Sequence, residues 1–141
     1  MTGRRAGLAL IGVALVLSVA AIPAYRSAQA GPGERTVNIT IHFSRFTPDS
    51  IDVRPGETVR FVVQNTDPID HEFILGDAAL QHLYEKSTES FHVPGGGVMG
   101  VPAGTTQVTT YTFPPSAGSL LFGCHLPGHY AYGMRGTVTI A

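Results

Sequence analysis

Near the end of the chain, Cys124, His129 and Met134 fall in the run Gly123-Cys124-His125-Leu126-Pro127-Gly128-His129-Tyr130-Ala131-Tyr132-Gly133-Met134, spaced Cys-x4-His-x4-Met. A thiolate, an imidazole and a thioether form a donor set suited to copper passing between two oxidation states. The soft thiolate favours Cu(I), imidazole serves Cu(I) and Cu(II), and a long axial Met bond adds little to either. The set needs one more histidine from elsewhere in the chain, and His71 is the leading candidate. Pro127-Gly128 lets the backbone reverse between Cys124 and His129, and Gly133 lets it swing Met134 towards the same point. Cys124 is the single cysteine of the sequence, so no internal disulfide exists. As a lone thiol it is either a small buried hydrophobe or a metal ligand, and the regular offsets to His129 and Met134 favour the ligand.

These residues need a scaffold, and the rest of the chain reads as strands. Thr36 to Phe43 alternates Val37, Ile39, Ile41 and Phe43 with polar residues, the period of a half-buried strand. Ser50 to Val53, Thr58 to Asn65, Phe73 to Leu75, Gln107 to Phe113, Ser119 to Gly123 and Gly136 to Ile140 follow. Turns at Thr47-Pro48-Asp49, Arg54-Pro55-Gly56-Glu57 and Pro114 to Gly118 separate several of them. Pro94 to Gly100 reads as a glycine-rich loop. Ala78 to Lys86 is the exception: Asp77 can cap a helix, and Leu80, Leu83 and Tyr84 share one helical face. Seven or so short strands and one short helix point to an all-β, two-sheet sandwich.

The first thirty residues have another composition. Arg4 and Arg5 precede an uncharged, nearly all-apolar stretch from Ala6 to Ala24, and Ala28-Gln29-Ala30 offers the small-x-small pattern of a cleavage site. Residues 1–30 are therefore expected to be a signal peptide or an N-terminal membrane anchor, with residues 6–24 as the tether. Residues 31–141 form the functional domain, placed in the periplasm or otherwise outside the cytoplasm. After position 30 there are ten acidic and six basic side chains. That balance speaks against nucleic acid, which calls for a basic stripe.

The domain resembles the cupredoxins, the small type 1 blue copper proteins, over about Thr36 to Ala141. The resemblance is carried by Phe46-x-Pro48-x2-Ile51-x-Val53-x-Pro55-Gly56, by the strand leading to His71, and by the closing Cys-His-Met loop. The loop spacing looks like that of rusticyanin and auracyanin rather than the shorter loop of plastocyanin. The resemblance implies a Greek-key sandwich holding one type 1 copper ion per chain at one end, with His71, Cys124, His129 and Met134 as its ligands. It also implies a monomer and no enzyme. The expected function is a one-electron carrier cycling Cu(II)/Cu(I), with redox partner proteins docking near His129 among Leu126, Pro127, Tyr130 and Tyr132. The alternative is periplasmic copper handling, meaning delivery or storage.

Several residues have plainer expectations. Glu72 stands where plastocyanin and azurin commonly carry an Asn that ties the ligand loops together, and it is expected as an exposed carboxylate. His125 follows Cys124 and should point away from the metal, as a strand neighbour does. His42, His82 and His92 are expected on the surface, and Met99 as a packing residue. An oxidase-like second copper would call for a His-x-His pair, and the chain has none.

Overall fold

The computed structural model describes residues 33–86 and 96–141. The expected leader or anchor of residues 1–30, and His92, lie outside the described residues. No helix among the described residues is long and apolar enough to cross a membrane.

Nine strands and one helix form in the order β1 Glu34–Ile41, β2 Phe46–Thr47, β3 Ser50–Val53, β4 Thr58–Asn65, β5 His71–Gly76, α1 Ala78–Glu85, β6 Val98–Val101, β7 Thr106–Thr112, β8 Gly118–Gly123 and β9 Arg135–Ile140. They make two sheets, β2-β1-β4-β7 and β3-β9-β8-β5-β6. Most neighbours are antiparallel, but β1 runs parallel to β4 and β3 parallel to β9. The expected two-sheet sandwich with one short helix is what forms.

Alternation decides which side chains enter the core. Val37, Ile39 and Ile41 of β1 and Val59, Phe61 and Val63 of β4 from one sheet share a buried core with Ile51 and Val53 of β3 and Val138 and Ile140 of β9 from the other. Phe73 is central to the aromatic packing, with Phe46, Phe61 and Phe122 rings at 6.0, 5.4 and 5.4 Å. Burying such rings dominates the energetics of a small core. Phe46, Ile51 and Val53, the apolar positions of the N-terminal motif, are all part of it.

β5 breaks the one-sided pattern, since all six of its residues are buried. Phe73 and Leu75 face the sandwich core, while α1 covers the other side of the strand. The helix begins at Asp77, whose carboxylate accepts the Leu80 N–H at 2.8 Å. Its buried residue is Gln81, whereas Leu83, expected on the packed face, is 65% exposed. The reason is polar: Gln81 Nε2 donates to the carbonyls of Ile74 and Leu121 at 3.0 and 3.1 Å, pinning the helix across β5 and β8.

Two further expectations are corrected. Val98–Val101 is strand β6, not loop, because its backbone pairs with His71–Ile74 and Met99 and Val101 enter the core. Phe43 does not extend the β1 alternation. The strand ends at Ile41, Phe43 and Ser44 take φ of 49° and 52°, and the Phe43 ring is 81% exposed.

Candidate metal centre

The candidate donors come from two places. His71 opens β5, buried to 1%. Cys124 follows β8 directly, and Met134 precedes β9, so one loop spans two adjacent strands of the same sheet. That loop is held by its own backbone. Cys124 N–H donates to the Met134 carbonyl at 3.1 Å, Met134 N–H to His129 at 2.9 Å, and His129 N–H to Leu126 at 3.0 Å. Two glycines permit the path: Gly128 and Gly133 have φ of 86° and 93°, a region that L side chains rarely adopt. Both are the positions the sequence marks for it.

The outcome is a convergence of donors. Cys124 Sγ lies 3.3 Å from His129 Nδ1 and 3.9 Å from His71 Nδ1. The ligand atoms of His71, Cys124 and His129 all lie within 4.8 Å of one another. Met134 is fully buried and hydrogen-bonded through its backbone to both Cys124 and His129. A thiol and two imidazoles brought to one point, with a buried thioether on the same loop, suit copper of either oxidation state.

Burial sets the protonation of the donors. It pushes the Cys124 thiol up to about 11, only partly offset by the Leu126 and Glu72 N–H groups near the sulfur. Metal uptake must therefore displace a proton from Cys124. Burial, with His71 adding to it, lowers His129 below the ordinary histidine value, which favours the neutral imidazole that a metal needs.

Two carboxylates surround the donors, and neither is exposed. Asp67, 6% exposed, accepts from His71 Nε2 at 3.0 Å, from Phe43 N–H at 2.7 Å and from Ser44 N–H at 2.8 Å. Burial raises its pKa, but those three donors outweigh burial and hold it below its ordinary value. Asn65 steers the same loop: its Oδ1 accepts the Asp67 N–H at 3.0 Å, and its Nδ2 donates to Ile69 and Val101 carbonyls.

Glu72 was expected on the surface and is instead 1% exposed. As the residue after His71 on a strand, it projects to the opposite side, the side on which α1 packs against β5 and the start of the ligand loop meets its carboxylate. Its Oε2 accepts the His125 N–H at 3.2 Å, and its own N–H points at Cys124 Sγ at 3.3 Å. Glu72 thus ties the start of β5 to the ligand loop. Burial raises its pKa, the His125 N–H opposing.

The remaining described histidines are elsewhere. The His125 ring stacks on Tyr130 at 4.5 Å and reaches Gln81 Oε1 at 2.7 Å, away from the donor cluster as expected. His42 is exposed and bonds Thr66 Oγ1 at 3.0 Å; His82 is exposed on α1. Met99 packs in the core. Around half-buried His129, Pro127 and Tyr132 are exposed, while Leu126 and Tyr130 are half-buried. Asp67 and Gln81 escaped sequence reasoning. Asp67 had a usable signal, as an acid before Pro68 in the loop that follows β4, four residues before a candidate ligand.

The sequence matches the family model of the Cupredoxin-like domain over residues 9–140. It is 37% identical over 123 residues to the "Copper-resistant cuproprotein CopI" of Rubrivivax gelatinosus, covering 84% of this chain and 73% of that one. The protein of the same name from Pseudomonas aeruginosa is 31% identical over 172 residues, covering 96% and 94%. Among solved structures, auracyanin B superposes with a TM-score of 0.63 at 22% identity, covering 80% of this chain and 92% of that one. The two-sheet sandwich, the Cys-x4-His-x4-Met loop closing on His71 and the match over most of the chain agree: this protein belongs to the cupredoxin-like family.

Proposed function

We propose that this chain is an exported copper protein, not an enzyme, that holds one type 1 copper ion and serves copper tolerance. His71, Cys124 and His129 would supply the strong donors and Met134 a weak one. The observation that carries this reading is the convergence of a buried thiol and two imidazoles within 4.8 Å. Bound copper supplies a one-electron couple between Cu(II) and Cu(I). The side chains provide the rest: Cys124 gives up its proton, His129 and His71 donate nitrogen, the loop hydrogen bonds hold Cys124 and His129, and Asp67 holds His71. Four protein donors leave no open position for a substrate, which is why catalysis is not proposed.

The sequence alone ranks a one-electron carrier ahead of copper handling. The relatives that share most of the chain are named for copper resistance, and this favours handling. The carrier remains the second reading, favoured by one feature. Donors fixed on a rigid sandwich rearrange little when the metal gains an electron. Partly exposed His129, beside exposed Pro127 and Tyr132, would then be where a redox partner docks on the monomer.

One set of measurements separates the readings. Copper-loaded protein should be intensely coloured and bleach reversibly with ascorbate, and Cys124→Ser should lose the colour while keeping the fold. A coloured Cys124→Ser protein contradicts the ligand assignment. A strain lacking the protein should then lose growth at raised copper with electron transport intact under handling. Loss of electron transport at ordinary copper supports the carrier.

A further inference from the structure

We propose that Asp67 is a positioning residue for the copper site, orienting His71 and biasing the site towards Cu(II). The proposal rests on the copper reading above.

The geometry begins with the tautomer. His71 Nε2 lies 3.0 Å from Asp67 Oδ2, and the carboxylate is acceptor-only, so the ring carries its proton on Nε2. That leaves Nδ1, the atom 3.9 Å from Cys124 Sγ, as the lone-pair nitrogen facing the donor cluster. A histidine ligand whose other nitrogen is held by a carboxylate is both oriented and made more basic.

Asp67 is itself locked. Oδ1 accepts Phe43 N–H and Oδ2 accepts Ser44 N–H, and Asn65 fixes the Asp67 backbone. The left-handed Phe43 and Ser44 are what aim two consecutive N–H groups at one carboxylate. The carboxylate is almost wholly out of water, 6% exposed, where screening is weak. A fixed negative charge there stabilises the more positive oxidation state of a neighbouring metal more than the less positive one.

The test is Asp67→Asn. Turned with its oxygen at the Oδ2 position, the amide still accepts from His71 and Ser44, so the variant removes charge and one bond to Phe43 while keeping the His71 contact. Cu(II) affinity should fall about ten- to hundredfold, with Cu(I) affinity falling less. The reduction potential should rise, by about 59 mV for each tenfold change in the affinity ratio. In the copper-free wild type, nitrogen-edited NMR of the imidazoles should show His71 as the Nε2–H tautomer.

An unmoved potential, with both affinities falling equally or only fold stability reduced, overturns the proposal and leaves Asp67 as a clamp on the Phe43–Ser44 turn. A His71 protonated on Nδ1 in the wild type overturns it as well. Wild-type protein that takes up no copper overturns the site reading, and this proposal with it. Copper uptake with a potential indifferent to the substitution overturns this proposal alone.

Discussion

At the scale of single residues, the donors are surrounded by polar groups whose value depends on being buried. Glu72 shows this directly. Its carboxylate accepts the backbone N–H of His125, one residue from Cys124, and its own backbone N–H faces the sulfur. Replacement by alanine strands the His125 N–H without that acceptor, and a buried donor left unsatisfied costs about 1–3 kcal/mol. Glu72→Ala should therefore lower the urea midpoint of the copper-free protein, and loosened support of Cys124 should shift the visible bands of the loaded form. Glu72→Gln keeps an oxygen for the His125 N–H and should recover most of the midpoint. Equal loss in both variants would show that the carboxylate's charge matters more than its hydrogen bond.

At the scale of elements, α1 matters through one glutamine. Gln81 bonds the carbonyls of Ile74 on β5 and Leu121 on β8, and its Oε1 meets His125 Nε2. It thus joins both strands that present donors to the residue beginning the ligand loop. Leucine at that position would fill the volume and offer no hydrogen bond. Gln81→Leu should destabilise the fold by about 1–3 kcal/mol, read by urea unfolding. Hydrogen exchange should quicken at Ile74 and Leu121 rather than across the sandwich. A uniform change over both sheets would mean that α1 acts only as bulk cover.

At the scale of the whole molecule, one ion pair makes stability depend on pH. Arg35 Nε lies 2.6 Å from Glu57 Oε1, and the Arg54 N–H bonds the other oxygen at 2.8 Å. The Arg35 hydrogen bond, against the opposing effect of burial, holds Glu57 below its ordinary value. The native state then binds fewer protons than the unfolded chain between the depressed and the ordinary value. The stability so gained is complete above the ordinary carboxylate range and is lost as pH falls through the depressed value. Glu57→Gln should be less stable at neutral pH and show a shallower loss towards acid in parallel urea titrations. A constant difference from wild type across the acid range would remove Glu57 from the account.

The sequence by itself determined the strands with strong alternation and the covalent frame of the site. Ser50–Val53 and Thr58–Asn65 form as read, and the Cys124-to-Met134 loop turns at Gly128 and Gly133. Those features are local, set by side-chain period and by backbone freedom at glycine. Tertiary structure decided what depends on a partner distant along the chain. The Val98–Val101 segment became a strand because β5 was there to pair with it. Glu72 went inside because α1 closed over β5, and Phe43 went outside because its N–H was drawn to Asp67. A single polar side chain has no period, so whether it meets water or a buried donor is settled only when the layers pack.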